Sequence, residues 1–228
     1  MYRRIVALNN KGVESLRRHR FYHGILSFRH AINCLKAYHH DRDGSLDSES
    51  LDEIHEFNGR AKSAFQCRID SMDLTKLLAV SPHNMFEIYP CAFSLPKQMI
   101  GDSVDISLIL FFNLALAHHF LGVENTHQGR ANLKEALRFY KITMNIFKAQ
   151  SEISQGALPL VLGCLNNQGH IFSHSFCQEE AELCSRAIHI LLETPSVVSL
   201  TDADCSVFFG GLRFDSAQSS CHTTAPAA

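Results

Sequence analysis

The chain of 228 residues contains no Trp, no Cys-x-x-Cys pair, no Gly-x-Ser-x-Gly elbow and no Cys-Gly-x-Cys box. Nor does any Gly-rich turn follow a strand-like run, as a phosphate cradle requires. Without these ordered signatures, nucleophilic and nucleotide-dependent catalysis lose their usual sequence support. No enzyme and no cofactor is expected. Charge of one sign is also lacking: the formal net charge is −2 and the pI is about 6.7, so no global field draws the molecule to nucleic acid or an anionic membrane. The opening "MYRRIVALNNKGVESL" has no apolar run of signal-peptide length, and an intracellular, cytoplasmic protein is expected. In that reducing setting the eight Cys are expected to be free thiols. The longest apolar stretch, residues 106–123, is interrupted by Asn113, His118 and His119, which are costly in lipid, so no membrane span is expected.

What is present is an echo. Residues 8–12 read LNNKG, residues 165–169 read LNNQG, and between them residues 111–115 read FFNLA. Around each copy the apolar residues recur at helical spacing. The first copy pairs a helix through Leu8, Gly12 and Leu16 with a second through Ile25, Phe28, Ala31, Ile32 and Leu35. In the middle copy, a helix at 106–121 is followed by the turn GVENTHQG (122–129) and a stripe of Ala136, Leu137, Tyr140 and Ile146. The third runs through Leu160, Leu162, Leu165, Phe172 and Phe176, then Leu183, Cys184, Ala187, Ile188 and Leu191, before Pro195. Gly12 and Gly24 are twelve apart, as are Gly169 and Ala181, and small residues so placed let two helices approach closely.

These hairpins resemble the tetratricopeptide repeat, and residues 165–193 resemble its kinesin light chain variety. Leu165, Asn166 and Asn167, then Ala181 and Glu182, then Arg186, Ala187 and Ile188 carry the likeness. The interval from Ala181 to Ala187 is one residue short of the family's, which leaves the register of the last helix open by one. The resemblance implies an all-α stack of about three hairpins, at 3–38, 105–149 and 157–194, inside a domain of residues 1–200.

Two regions fall outside the hairpins. Residues 41–100 form a loop-rich insertion that begins with an acidic stretch: 43–56 hold six Asp/Glu and no Lys or Arg, offsetting the eight Lys/Arg against Glu14 in 1–40. Its DRDGSLDSES fails as a calcium loop, because Ser50 stands where the bidentate Glu must close it. Residues 84–96 (NMFEIYPCAFSLP) and 205–214 (CSVFFGGLRF) have β-like character and are expected to pair as a small ribbon; the tail after them is expected to be disordered.

A tetratricopeptide-like stack implies a concave groove lined by the first helices. Asn9, Val13 and Arg17, Phe112, Leu116 and Phe120, and Asn166, His170 and His174 fall on that face and are the candidate peptide-binding residues. Asn9 and Asn166 present amides suited to the main chain of a bound peptide, since Asn both donates and accepts. Asn10, Asn113 and Asn167 align at the edge of the same face. Their plainer role is bonding to a neighbouring helix or a backbone carbonyl. The expected partner is a protein or peptide rather than nucleic acid, because the RRHR cluster (17–20) lacks aromatic interleaving and any nucleic-acid module. Exposed repeat ends also suit homo- or hetero-oligomers. The competing chemical reading is a metal-dependent or thiol enzyme using His170, His174 and Cys177.

Overall fold

A computed structural model describes residues 1–43, 68–69, 86–96, 103–124, 128–150 and 157–193. Among them are six helices: α1 (Tyr2–Arg17), α2 (Phe21–Asp43), α3 (Ser103–Glu124), α4 (Gly129–Lys148), α5 (Leu158–His174) and α6 (Gln178–Leu192). Two-residue strands β1 (Arg68–Ile69) and β2 (Ala92–Phe93) pair antiparallel. The described protein is therefore mostly helical. The chain divides into two compact units: one contains α1–α4, both strands and residues 90–96, and the other contains residues 86–89, α5 and α6.

In the first unit, α1 packs on α2, α2 on α3 and α3 on α4. The packing of α1 follows its sequence: Ile5, Val6, Val13 and Leu16 are buried at helical spacing, and Gly12 is buried with them. A Cβ on Gly12 would lie 2.5 Å from Cε1 of Phe28, which is itself fully buried in α2, so only Gly permits this approach. Helix α3 is apolar all round because it is enclosed by two neighbours. By length and composition Val104–Glu124 could cross a membrane, yet most of that window is buried inside the protein.

The turn of the second hairpin differs from the expectation. Gly122 belongs to α3 and Gly129 opens α4. A Cβ on Gly129 would stand 2.6 Å from the Gly122 carbonyl oxygen, and one on Gly122 would stand 2.8 Å from Cγ of Leu133. The two glycines mark a helix contact as well as a turn. Along α4 the buried residues are Leu133, Ala136, Phe139, Tyr140 and Thr143, while Leu137 and Ile146 are only half-buried.

In the second unit, α5 packs on α6. The buried face of α6 is Ala181, Cys184, Ser185 and Ile188, so Leu183 of the expected stripe is exposed and Ser185 takes a place inside. Ala181 is fully buried, and a face centred on that small residue turns Leu183 outward.

The first and third hairpins turn in the same way. His19 ends α1 with φ 55°, its N–H donating to Leu16 O and that of Arg20 to Ser15 O. Phe176 ends α5 with φ 58°, its N–H donating to Ser173 O and that of Cys177 to Phe172 O. This is the left-handed helix cap, and His19 and Phe176 each stand ten residues after the first Asn of their motif. At this cap Phe176, expected in an apolar stripe, is 95% exposed.

The strand-like segment also has a different partner from the one expected. β2 pairs with β1, with Arg68 opposite Phe93 and Ile69 opposite Ala92. Residues 205–214 lie outside the described residues.

Candidate functional site

An Asn in the middle of a helix usually turns to solvent, because its amide competes with the backbone. Here Asn9, Asn113, Asn166 and Asn167 are buried, and Asn10 is half-buried. Buried amides need partners. They find them on the extended segment 86–96, which has no regular ladder along most of its length.

In the first unit, Asn113 Oδ1 accepts the N–H of Phe93 at 2.9 Å while its Nδ2 donates to the C=O of the same residue at 2.7 Å. Asn10 does the same to Leu95, accepting its N–H and donating to its C=O, both at 2.8 Å. Asn9 Nδ2 donates to Phe93 O at 3.0 Å, and its Oδ1 accepts from Asn113 Nδ2 at 2.9 Å, tying α1 to α3. Residues two apart in an extended chain present N–H and C=O on one edge, so the amides of α1 and α3 act as a neighbouring strand. On β1 the residue opposite Phe93 is Arg68.

The second unit repeats the device. Asn167 Oδ1 accepts the N–H of Tyr89 at 2.7 Å and its Nδ2 donates to the C=O at 3.1 Å. Asn166 donates to Glu87 O. The echoed second asparagines, Asn10, Asn113 and Asn167, thus each grip one residue through both main-chain groups, at Leu95, Phe93 and Tyr89 respectively. Gly169 has the Phe86 ring where its Cβ would be, 2.5 Å from Cε1, so it accommodates the segment rather than its hairpin partner α6.

Side chains complete the hold. Phe93 meets Phe112 edge to face at 5.3 Å between centroids, and Phe112 in turn packs on Tyr140 at 5.8 Å. Phe93 and Leu95 are fully buried. The remaining first-unit candidates are placed as follows. Val13, Phe112, Leu116 and Phe120 are fully buried in packed interior rather than on an open face, with Phe120 stacked on Phe21 of α2 at 5.3 Å. Arg17 is exposed, 3.8 Å from the Glu14 carboxylate.

In the second unit, His170 and His174 stack nearly parallel, with centroids 6.3 Å apart. Burial, and then the His174 charge, push His170 down to about 4, so it is neutral at physiological pH. The Cys177 thiol lies 3.7 Å from its own turn's Ser175 carbonyl. Among the described residues no three His, Cys, Asp or Glu side chains gather where they could hold a metal ion.

Two histidines of α3 are structural in their contacts. Asn132 donates to Gln128 O, which leaves its Oδ1 to accept from His118 Nδ1; Nε2 then accepts from Arg29, and desolvation lowers the His118 pKa. His119 Nδ1 lies 3.4 Å from the Tyr140 hydroxyl.

Residue alignment alone placed Asn10, Asn113 and Asn167 together but not their target. The available signal was the segment itself: a strand-like run bounded by Pro82 and Pro96 has main-chain groups that must be satisfied somewhere. No protein family, no curated protein and no solved structure matches the chain.

Proposed function

We propose that the protein is a non-catalytic interaction module, a tetratricopeptide-like set of helical hairpins that binds a peptide or helix along the face carrying its asparagines. The observation that carries this reading is the paired grip of Asn10 and Asn113 on both main-chain groups of single residues. Such amides read an extended backbone without regard to its side chains, which is the logic of strand addition in peptide recognition. The identical caps at His19 and Phe176 support descent of the hairpins from one repeated unit. The partner is a cytoplasmic protein rather than nucleic acid or membrane, and a further copy or another protein covering the ends of the repeat set is part of the same proposal. Affinity capture of the tagged full chain from native extract tests the reading. Stoichiometric protein partners that withstand nuclease treatment are expected; complexes that persist only while RNA is intact would overturn it.

A further inference from the structure

We infer that residues 90–96 sit in the first unit as an internal stand-in for an extended peptide ligand. That ligand would place large apolar side chains two residues apart and follow them with proline. The inference rests on the interaction-module reading and names its ligand and its control.

Four hydrogen bonds from Asn10 and Asn113 engage only the N–H and C=O of Leu95 and Phe93, so every extended peptide meets the polar half of the requirement. Selectivity comes from the buried side chains, which besides Phe93 and Leu95 include the small Ala92. The position of Phe93 requires a ring against Phe112, and that of Leu95 requires a large aliphatic group. Pro96 follows at the edge, where it brings no N–H to satisfy, and its C=O lies 3.5 Å from the Tyr2 hydroxyl. Ser94, between the gripped positions, and Cys91, before them, are half-buried.

An empty groove would leave Asn113 Oδ1 and Asn10 Nδ2 without the partners described for them, while Asn9 keeps its bonds to Asn113 and Asn10, and the chain's own segment satisfies both. Because that segment is tethered, it competes at a high effective concentration. A free peptide of equal quality then binds poorly until the tethered copy is weakened. Partner binding is thereby linked to release of 90–96.

The test uses the full chain and a fluorescent synthetic peptide with the sequence of residues 86–97, its Cys replaced by Ser. Anisotropy is compared for the wild type and for Phe93→Ala/Leu95→Ala, which weakens the tethered segment but keeps the asparagines. The double variant should bind the peptide at least tenfold more tightly than the wild type, and adding Asn113→Ala should cost tenfold or more. Should the double variant not fold alone, saturating peptide should restore its helical circular dichroism, and this restoration should fail with Asn113→Ala. Saturating peptide that changes neither anisotropy nor helix content, or binding indifferent to Asn113, overturns the inference. Such a failure would leave the affinity-capture result untouched, whereas absence of partners there would leave peptide exchange here standing.

Discussion

Replacing Asn113 by Ala removes three hydrogen bonds in a fully buried place: those with Phe93 N–H, Phe93 C=O and Asn9 Oδ1. The losses are unequal. Phe93 C=O keeps the donor of Asn9 at 3.0 Å, so it is not orphaned. Phe93 N–H and Asn9 Oδ1 lose the partners described for them, and a buried polar group left unsatisfied costs about 1–3 kcal/mol. Helix propensity returns roughly 0.5 kcal/mol on exchanging Asn for Ala. The expected net destabilisation is therefore about 2–5 kcal/mol, a large part of a typical domain's stability. Asn10→Ala removes three bonds, those with Leu95 N–H, Leu95 C=O and Asn9 Nδ2, but at a half-buried position that water can reach, and should cost less, about 1–2 kcal/mol. Urea unfolding followed by circular dichroism at 222 nm measures both, since there is no Trp to report. The exposed Asn145 of α4 supplies the baseline as Asn145→Ala. If Asn113→Ala shifted the urea midpoint no more than Asn145→Ala does, the amide grip would be energetically idle and the reasoning would be refuted.

Three further outcomes follow from the geometry. Gly12→Ala should destabilise by about 1–3 kcal/mol because its Cβ meets the buried Phe28 ring, whereas Gly24→Ala, whose Cβ meets the movable tip of Leu16 at 3.1 Å, should be neutral or better; equal melting midpoints for the two would show that α1 and α2 do not approach as described. Phe176→Gly should stabilise by roughly 0.5–1 kcal/mol, since it relieves a left-handed backbone and removes a side chain that is 95% exposed, and a lowered thermal midpoint would contradict this. For His170 the folded pKa of about 4 lies below the ordinary value of 6.5, so its contribution to stability is complete above pH 6.5 and is lost as pH falls toward 4. The loss is on the order of 1–3 kcal/mol; His170→Gln should flatten the fall in thermal midpoint between pH 7 and pH 4.5, and parallel profiles for wild type and variant would count against a desolvated imidazole.

The sequence by itself determined what is local. Apolar residues at a period near 3.6 place six helices within a few residues of their ends, and Gly12 with Gly24 marks where α1 and α2 touch, because hydrophobic periodicity and close approach are written in neighbouring turns. The asparagine echo was equally legible as a pattern. Only the tertiary structure decided what those amides hold. Asn10 and Leu95 are 85 residues apart and Asn167 and Tyr89 are 78 apart, and no local spacing records such a pairing. The same reason explains Gly169, whose spacing to Ala181 pointed to α6 while the Phe86 ring took the space, and Phe112, Leu116 and Phe120, which the tetratricopeptide resemblance put on an open groove. A periodic pattern states which side of a helix is apolar. Which neighbour covers that side depends on segments brought together from far along the chain, and in α3 neighbours cover every side.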